Sequence, residues 1–80
     1  MPKLRTLNSL EVIKALETFG FNITGQKGSH IKLSRQTLLQ KQVLTIPNNK
    51  ELPKGTLKAI FNQSSRFVSQ EELQKFFYSE

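Results

Sequence analysis

The chain has no cysteine, no aspartate and a single histidine in 80 residues. Without cysteine there is no disulfide framework and no thiolate metal site, and the composition fits a reducing compartment. With aspartate also missing, a zinc or magnesium site would have to be built almost wholly from six scattered glutamates, so neither a metal nor any other cofactor is expected. Long apolar runs are missing too. Nothing approaches the roughly 18 to 20 apolar residues of a membrane span, and the basic start Met1-Pro2-Lys3-Leu4-Arg5 is not followed by an apolar stretch. The expectation is a soluble, cytoplasmic protein with no membrane partner. A chain of this length is read as one domain, residues 1–80. A domain so small buries only about 60% of the surface its unfolded form exposes, so its core must be simple.

Negative charge is scarce and unevenly placed. Twelve Lys and Arg against six Glu give a formal charge of +6, and no carboxylate lies between Glu17 and Glu51. That interval holds Lys27, Lys32, Arg35, Lys41 and Lys50, together with His30. A positive field around the one residue that titrates near neutrality favours polyanionic partners, nucleic acid first among them. An ordinary solvated basic face would look similar.

Local signals divide the chain into helix, three strands, helix, helix. Asn8 and Glu11 have the spacing of a reciprocal capping box, Val12, Ile13, Leu16 and Phe19 form an apolar stripe at helical period, and Gly20 stops the helix. Phe21 and Ile23 alternate with Asn22 and Thr24 as a first strand, and Gly25 to Gly28 reads as a hairpin turn. A second strand carries His30. Ser34 to Gln40 is a polar turn, and Val43-Leu44-Thr45-Ile46-Pro47 a third strand ended by proline. Leu57, Ile60 and Phe61 mark a second helix after Pro53-Lys54-Gly55; Ser69 and Glu72 cap a short third one carrying Leu73, Phe76 and Phe77. The expected fold is α+β, with a three-stranded antiparallel sheet covered by helices on one face and open on the other.

The histidine lies in Lys27-Gly28-Ser29-His30-Ile31-Lys32-Leu33-Ser34, a turn entering a short alternating strand. Side chains alternate with a period of two, so Ile31 and Leu33 share one face while His30, Lys32 and Ser34 share the other, toward water. An imidazole, with a reference pKa of about 6.5, both takes and gives a proton near neutrality. Metal-free RNA cleavage by attack of the 2′-hydroxyl on the adjacent phosphate needs such a group and cations for the developing charge. Lys27 and Lys32 are placed to hold phosphate oxygens, and the Gly28 and Ser29 amides could add donors if the turn forms a small anion nest. Ser29 is a weaker candidate as a nucleophile, since no carboxylate lies nearby in sequence to orient the histidine. An ordinary surface histidine remains the plain alternative.

Gly20-Phe21, Gln26-Lys27-Gly28-Ser29-His30, Thr45-Ile46-Pro47-Asn48, Lys50-Glu51-Leu52 and Lys54-Gly55-Thr56-Leu57-Lys58-Ala59-Ile60 together resemble the HicA, or YcfA-like, toxin family, from about Ser9 to Ile60. The resemblance implies a fold like the double-stranded-RNA-binding domain in the order α-β-β-β-α with a short C-terminal helix. It also implies a messenger-RNA endoribonuclease, a HicB-type antitoxin partner, and His30 in the place of the family's catalytic histidine. Lys27, Gly28, Ser29, Lys32 and Lys50 are the candidate RNA contacts. Two positions depart from the pattern: Gly25 stands where similar sequences often carry arginine, and Asn49 where they often carry a second histidine. A noncatalytic RNA-binding module of the same fold is the competing reading. A helix-turn-helix over Gly55 to Phe77 is disfavoured by Glu71, Glu72 and Glu80.

Overall fold

The computed structural model describes residues 2–79. Its elements are β1 (Lys3–Leu4), α1 (Ser9–Glu17), β2 (Asn22–Lys27), β3 (His30–Gln36), β4 (Lys41–Pro47), α2 (Lys54–Ser64), α3 (Gln70–Phe77) and β5 (Tyr78–Ser79). The order is the anticipated α-β-β-β-α with an added C-terminal helix. Strands β2, β3 and β4 form an antiparallel sheet in sequence order. A second, two-stranded sheet, which local patterning did not indicate, joins the two ends of the chain, with Lys3 opposite Ser79 and Leu4 opposite Tyr78.

The start and stop of α1 follow from side-chain chemistry. Asn8 accepts a bond from the Glu11 N–H at 2.8 Å, and the Glu11 carboxylate accepts one from the Asn8 N–H at 3.0 Å, completing the capping box. At the other end the Gly20 N–H reaches Glu17 O and the Phe21 N–H reaches Leu16 O, the two closing bonds of a Schellman turn. Gly20 sits at φ 93°, a conformation that a Cβ disfavours. Ser69 caps α3 by accepting from the Glu72 N–H, while the Glu72 carboxylate lies 3.5 Å from Lys75 Nζ instead of returning to the cap.

The core lies between the sheet and the helices. Val12 and Leu16 of α1, Leu33 of β3, Leu44 and Ile46 of β4, Leu57 of α2, and Leu73 and Phe77 of α3 are buried in it with Phe21 and Leu52. Phe61 packs edge-on against Phe77 and Tyr78, at centroid distances of 5.5 and 5.3 Å. The apolar face of α3 is thus spent on the core while Glu71 and Glu72 face solvent, which fits a closing helix and not a groove-reading one.

The first hairpin differs from its expected outline. Strand β2 continues through Gly25 to Lys27, so the turn is only Gly28-Ser29, with Lys27 paired to His30. Gly28 has φ 59° and Ser29 a negative φ, the sign pattern of a II′ turn, whose twist suits a two-residue hairpin. Strand β2 also breaks its own alternation. A bulge between Ile23 and Gly25 inserts Thr24, and Ile23 is 53% exposed although Phe21 is fully buried. Strand β2 lies at the edge of the sheet, and Ile23 is left uncovered there.

A basic open face around His30

Register sets the site. In β3, His30 lies opposite Lys27 on one side and Pro47 on the other, and Lys32 lies opposite Gly25 and Thr45. Ile31 and Leu33 are buried against the helices while His30 and Lys32 are exposed on the open face, as alternation requires. Ser34 shares that face but is covered, not solvent-facing as expected, because it sits in the middle strand with its hydroxyl donating to Thr24 Oγ1 at 3.2 Å.

Lys27, His30 and Lys32 line one shallow depression of about 290 Å³, with Thr24, Gly25, Gln26 and Thr45 completing it. Among the described residues no acidic side chain lines it. Gly28 and Ser29, also expected at the site, form the turn between Lys27 and His30 and do not line the depression; the Ser29 carbonyl accepts from the Asn48 N–H at 2.6 Å. An added Cβ at Gly25 would meet nothing within 4 Å, so the floor beside Lys32 lies open. The arrangement offers a proton-transfer group between two cations on a flat, water-exposed surface. Such a surface is open to an extended ligand and does not enclose a small molecule.

The five cations of the acid-free interval do not act together. Lys50 lines a neighbouring depression with Asn8, Ser9, Leu10, Asn48 and Asn49. Lys41 stands at the far end of β4, opposite Gln36, away from His30. Arg35 faces the helices. Its Nε donates to Gln42 Oε1 at 2.8 Å, its two terminal nitrogens donate to the Phe19 and Phe67 carbonyls at 2.7 and 2.9 Å, and its guanidinium carbon lies 4.8 Å from the centre of the Phe21 ring. Sharing a face with Ile31 and Leu33 was the signal that could have separated Arg35 from the cations of the open face.

Three contributors were not picked out from sequence. Thr24 and Thr45 reach the depression only through a bulge and a cross-strand register, neither of which leaves a local mark. Ser9, buried at the start of α1, holds the segment after β4: its hydroxyl donates to the Asn49 carbonyl at 2.9 Å and accepts from the Asn49 N–H at 2.6 Å. A serine there reads locally only as a helix opener.

The site defined by this fold is a basic, histidine-bearing open sheet face on a small α+β domain. Residues 10–65 match the family model described as the HicA toxin of bacterial toxin-antitoxin systems, and the chain belongs to that family. Membership carries the class of a toxin with an antitoxin partner, in a family known for ribonuclease activity. No curated protein and no solved structure matches the chain. Among the described residues no helix is long and apolar enough to cross a membrane.

Proposed function

We propose that the protein is a metal-independent endoribonuclease that cleaves messenger RNA, with His30 as the general acid/base, and that a HicB-type antitoxin restrains it in the cytoplasm where its substrate lies. The observation that carries the reading is the convergence of His30, Lys27 and Lys32 on one depression of the open face. His30 takes the proton of a ribose 2′-hydroxyl as that oxygen attacks the neighbouring phosphorus. The bond from phosphorus to the 5′-oxygen breaks, leaving a cyclic 2′,3′-phosphate, and the departing oxygen takes a proton from water. Lys27 and Lys32 balance the charge that gathers on the phosphoryl oxygens. General acid-base help from one such group is worth on the order of 10²–10⁴ in rate. The Gly28 and Ser29 amides, in the turn between Lys27 and His30, are proposed as further donors.

The test is cleavage of single-stranded RNA by the purified protein with a chelator present, alongside the His30→Ala variant as the control for contaminating nuclease. Cleavage in chelator, lost in the variant, is the expected result. Activity that vanishes in chelator and returns with magnesium overturns the metal-free mechanism. The second reading, a noncatalytic RNA-binding module, draws on Asn49, which leaves the site without a second imidazole. It predicts RNA binding without turnover in the same assay.

A further inference from the structure

The larger depression beside the His30 site has no role in the chemistry above. It measures about 460 Å³ and is lined by Asn8, Ser9, Leu10, Asn48, Asn49 and Lys50, none of them acidic. It begins where the first site ends: Pro47 pairs with His30, and the next residue, Asn48, bonds through its N–H to Ser29 in the turn before His30. The two depressions are thus joined through the Pro47–Asn48 segment.

The segment is rigid in its backbone and free in its side chains. Ser9 Oγ bonds both the N–H and the carbonyl of Asn49, and the Ser9 N–H donates to that same carbonyl at 3.1 Å. Among the described residues, no protein group pairs with the side-chain amide of Asn48 or of Asn49, and both residues are exposed. Each amide offers a donor and an acceptor side by side, the pattern that matches the edge of a nucleobase. Leu10 is 60% exposed on the opposite wall, an apolar surface for the flat side of a base or a ribose. Lys50 supplies the cation. The nearest carboxylate of α1, Glu11, is turned to the Asn8 N–H.

We infer that this depression is a base-reading subsite for the nucleotide next to the scissile phosphate, with Asn48 and Asn49 hydrogen-bonding the base edge and Lys50 holding the flanking phosphate. The ligand is a single strand, because only an unpaired base presents that edge. The inference rests on the ribonuclease reading for its placement of the scissile bond, but base-selective binding is measurable without cleavage.

The experiment measures fluorescence anisotropy of the full chain with RNA octamers of A, C, G and U at fixed salt. The parent should spread the four dissociation constants by about tenfold. The double variant Asn48→Ala/Asn49→Ala should compress that spread to roughly twofold while melting as the parent does. Asn49→Asp, which keeps the shape but exchanges the amide donor for a charged acceptor, should change which octamer binds best. Lys50→Ala should weaken all four and reduce the slope of log affinity against log salt by about 0.7. A parent without base preference, or a double variant that keeps the parent's spread, overturns the subsite. Cleavage of the same octamers separates this from the parent reading. A spread that collapses in the double variant without any His30-dependent cleavage leaves the subsite standing and removes the ribonuclease. His30-dependent cleavage with an unaltered spread does the reverse.

Discussion

At one end of β3, Lys32 stands on the open face beside His30 with its ammonium in water; three residues on, Arg35 lies under the same sheet with its guanidinium bonded to Gln42 and to two carbonyls from different helical connections. Both are cations within one carboxylate-free stretch, yet they serve opposite ends. Lys32 leaves its charge available to a phosphate. Arg35 uses its planar fork of donors to tie the C-terminal turn of α1 and the α2–α3 connection to the sheet, and it stacks on Phe21. The comparison teaches that a basic stretch of sequence is not a basic surface, because strand alternation sorts neighbouring charges into exposed and internally bonded ones.

Four predictions break or sharpen that contrast, beginning with the largest expected effect. His30→Ala should reduce RNA cleavage by on the order of 10²–10⁴. Its stability should stay within about 0.5 kcal/mol of the parent, because an exposed strand residue adds little to the core. Thermal melts and cleavage rates measured together check the pair of outcomes; a variant that melts as the parent and still cuts at the parent rate rules out the assignment. Arg35→Leu should do the opposite and act on folding. It strips donors from the Phe19 and Phe67 carbonyls and from Gln42, at about 3 kcal/mol in total. A melting temperature lowered by roughly 4–8 °C per kcal/mol would register this loss. Arg35→Lys should recover only part, since one ammonium cannot reproduce the fork. Unchanged melting in the leucine variant would show that the latch is decorative.

A smaller effect probes the neighbour of that latch. At Gly20, with φ 93°, a Cβ would approach Arg35 Cδ to 3.3 Å. Gly20→Ala should cost about 1–2 kcal/mol from the positive φ alone. In the Arg35→Leu background the close contact is altered, so chemical denaturation of the double variant should depart from additivity; strict additivity would mean the two residues do not communicate. The smallest effect concerns binding. Lys32→Glu should weaken RNA affinity several-fold and lower the salt slope by about 0.7 for the lost phosphate contact. Lys75→Glu, on α3, should do much less, although it changes net charge equally. Equal losses would mean that overall charge governs binding, not the open face.

Much of the fold was legible because its signals are local. The capping box at Asn8 and Glu11, the stop at Gly20 and the stripe through Val12 and Leu16 each operate within a few residues, and each is realised in α1. Ile31 and Leu33 were correctly assigned to the covered face. The misplaced first turn has an equally concrete cause. Gly25 and Gly28 both permit a turn, and only pairing with β3 shows that Gly25 belongs to the strand beside a bulge while Gly28 takes the positive φ. Ile23 keeps the face assigned to it, opposite Leu33, yet is exposed, because it lies on the edge strand of the sheet.

What the amino-acid order determined by itself was the three helices and the three strands of the main sheet, the face on which His30 and Lys32 project and the absence of acid around them, since backbone preference and a period of two require no distant partner; the pairing of β1 with β5 was not among them. Tertiary structure alone decided which cations stay free beside His30 and which are bonded inward. Arg35 meets Phe67 across 32 residues and Ser9 meets Asn49 across 40, and those bonds turn one charge inward and hold Asn48, Asn49 and Lys50 beside the turn that leads into His30. Such pairings come from the packing of helices on the sheet, which brings together groups whose sequence neighbours carry no trace of the contact.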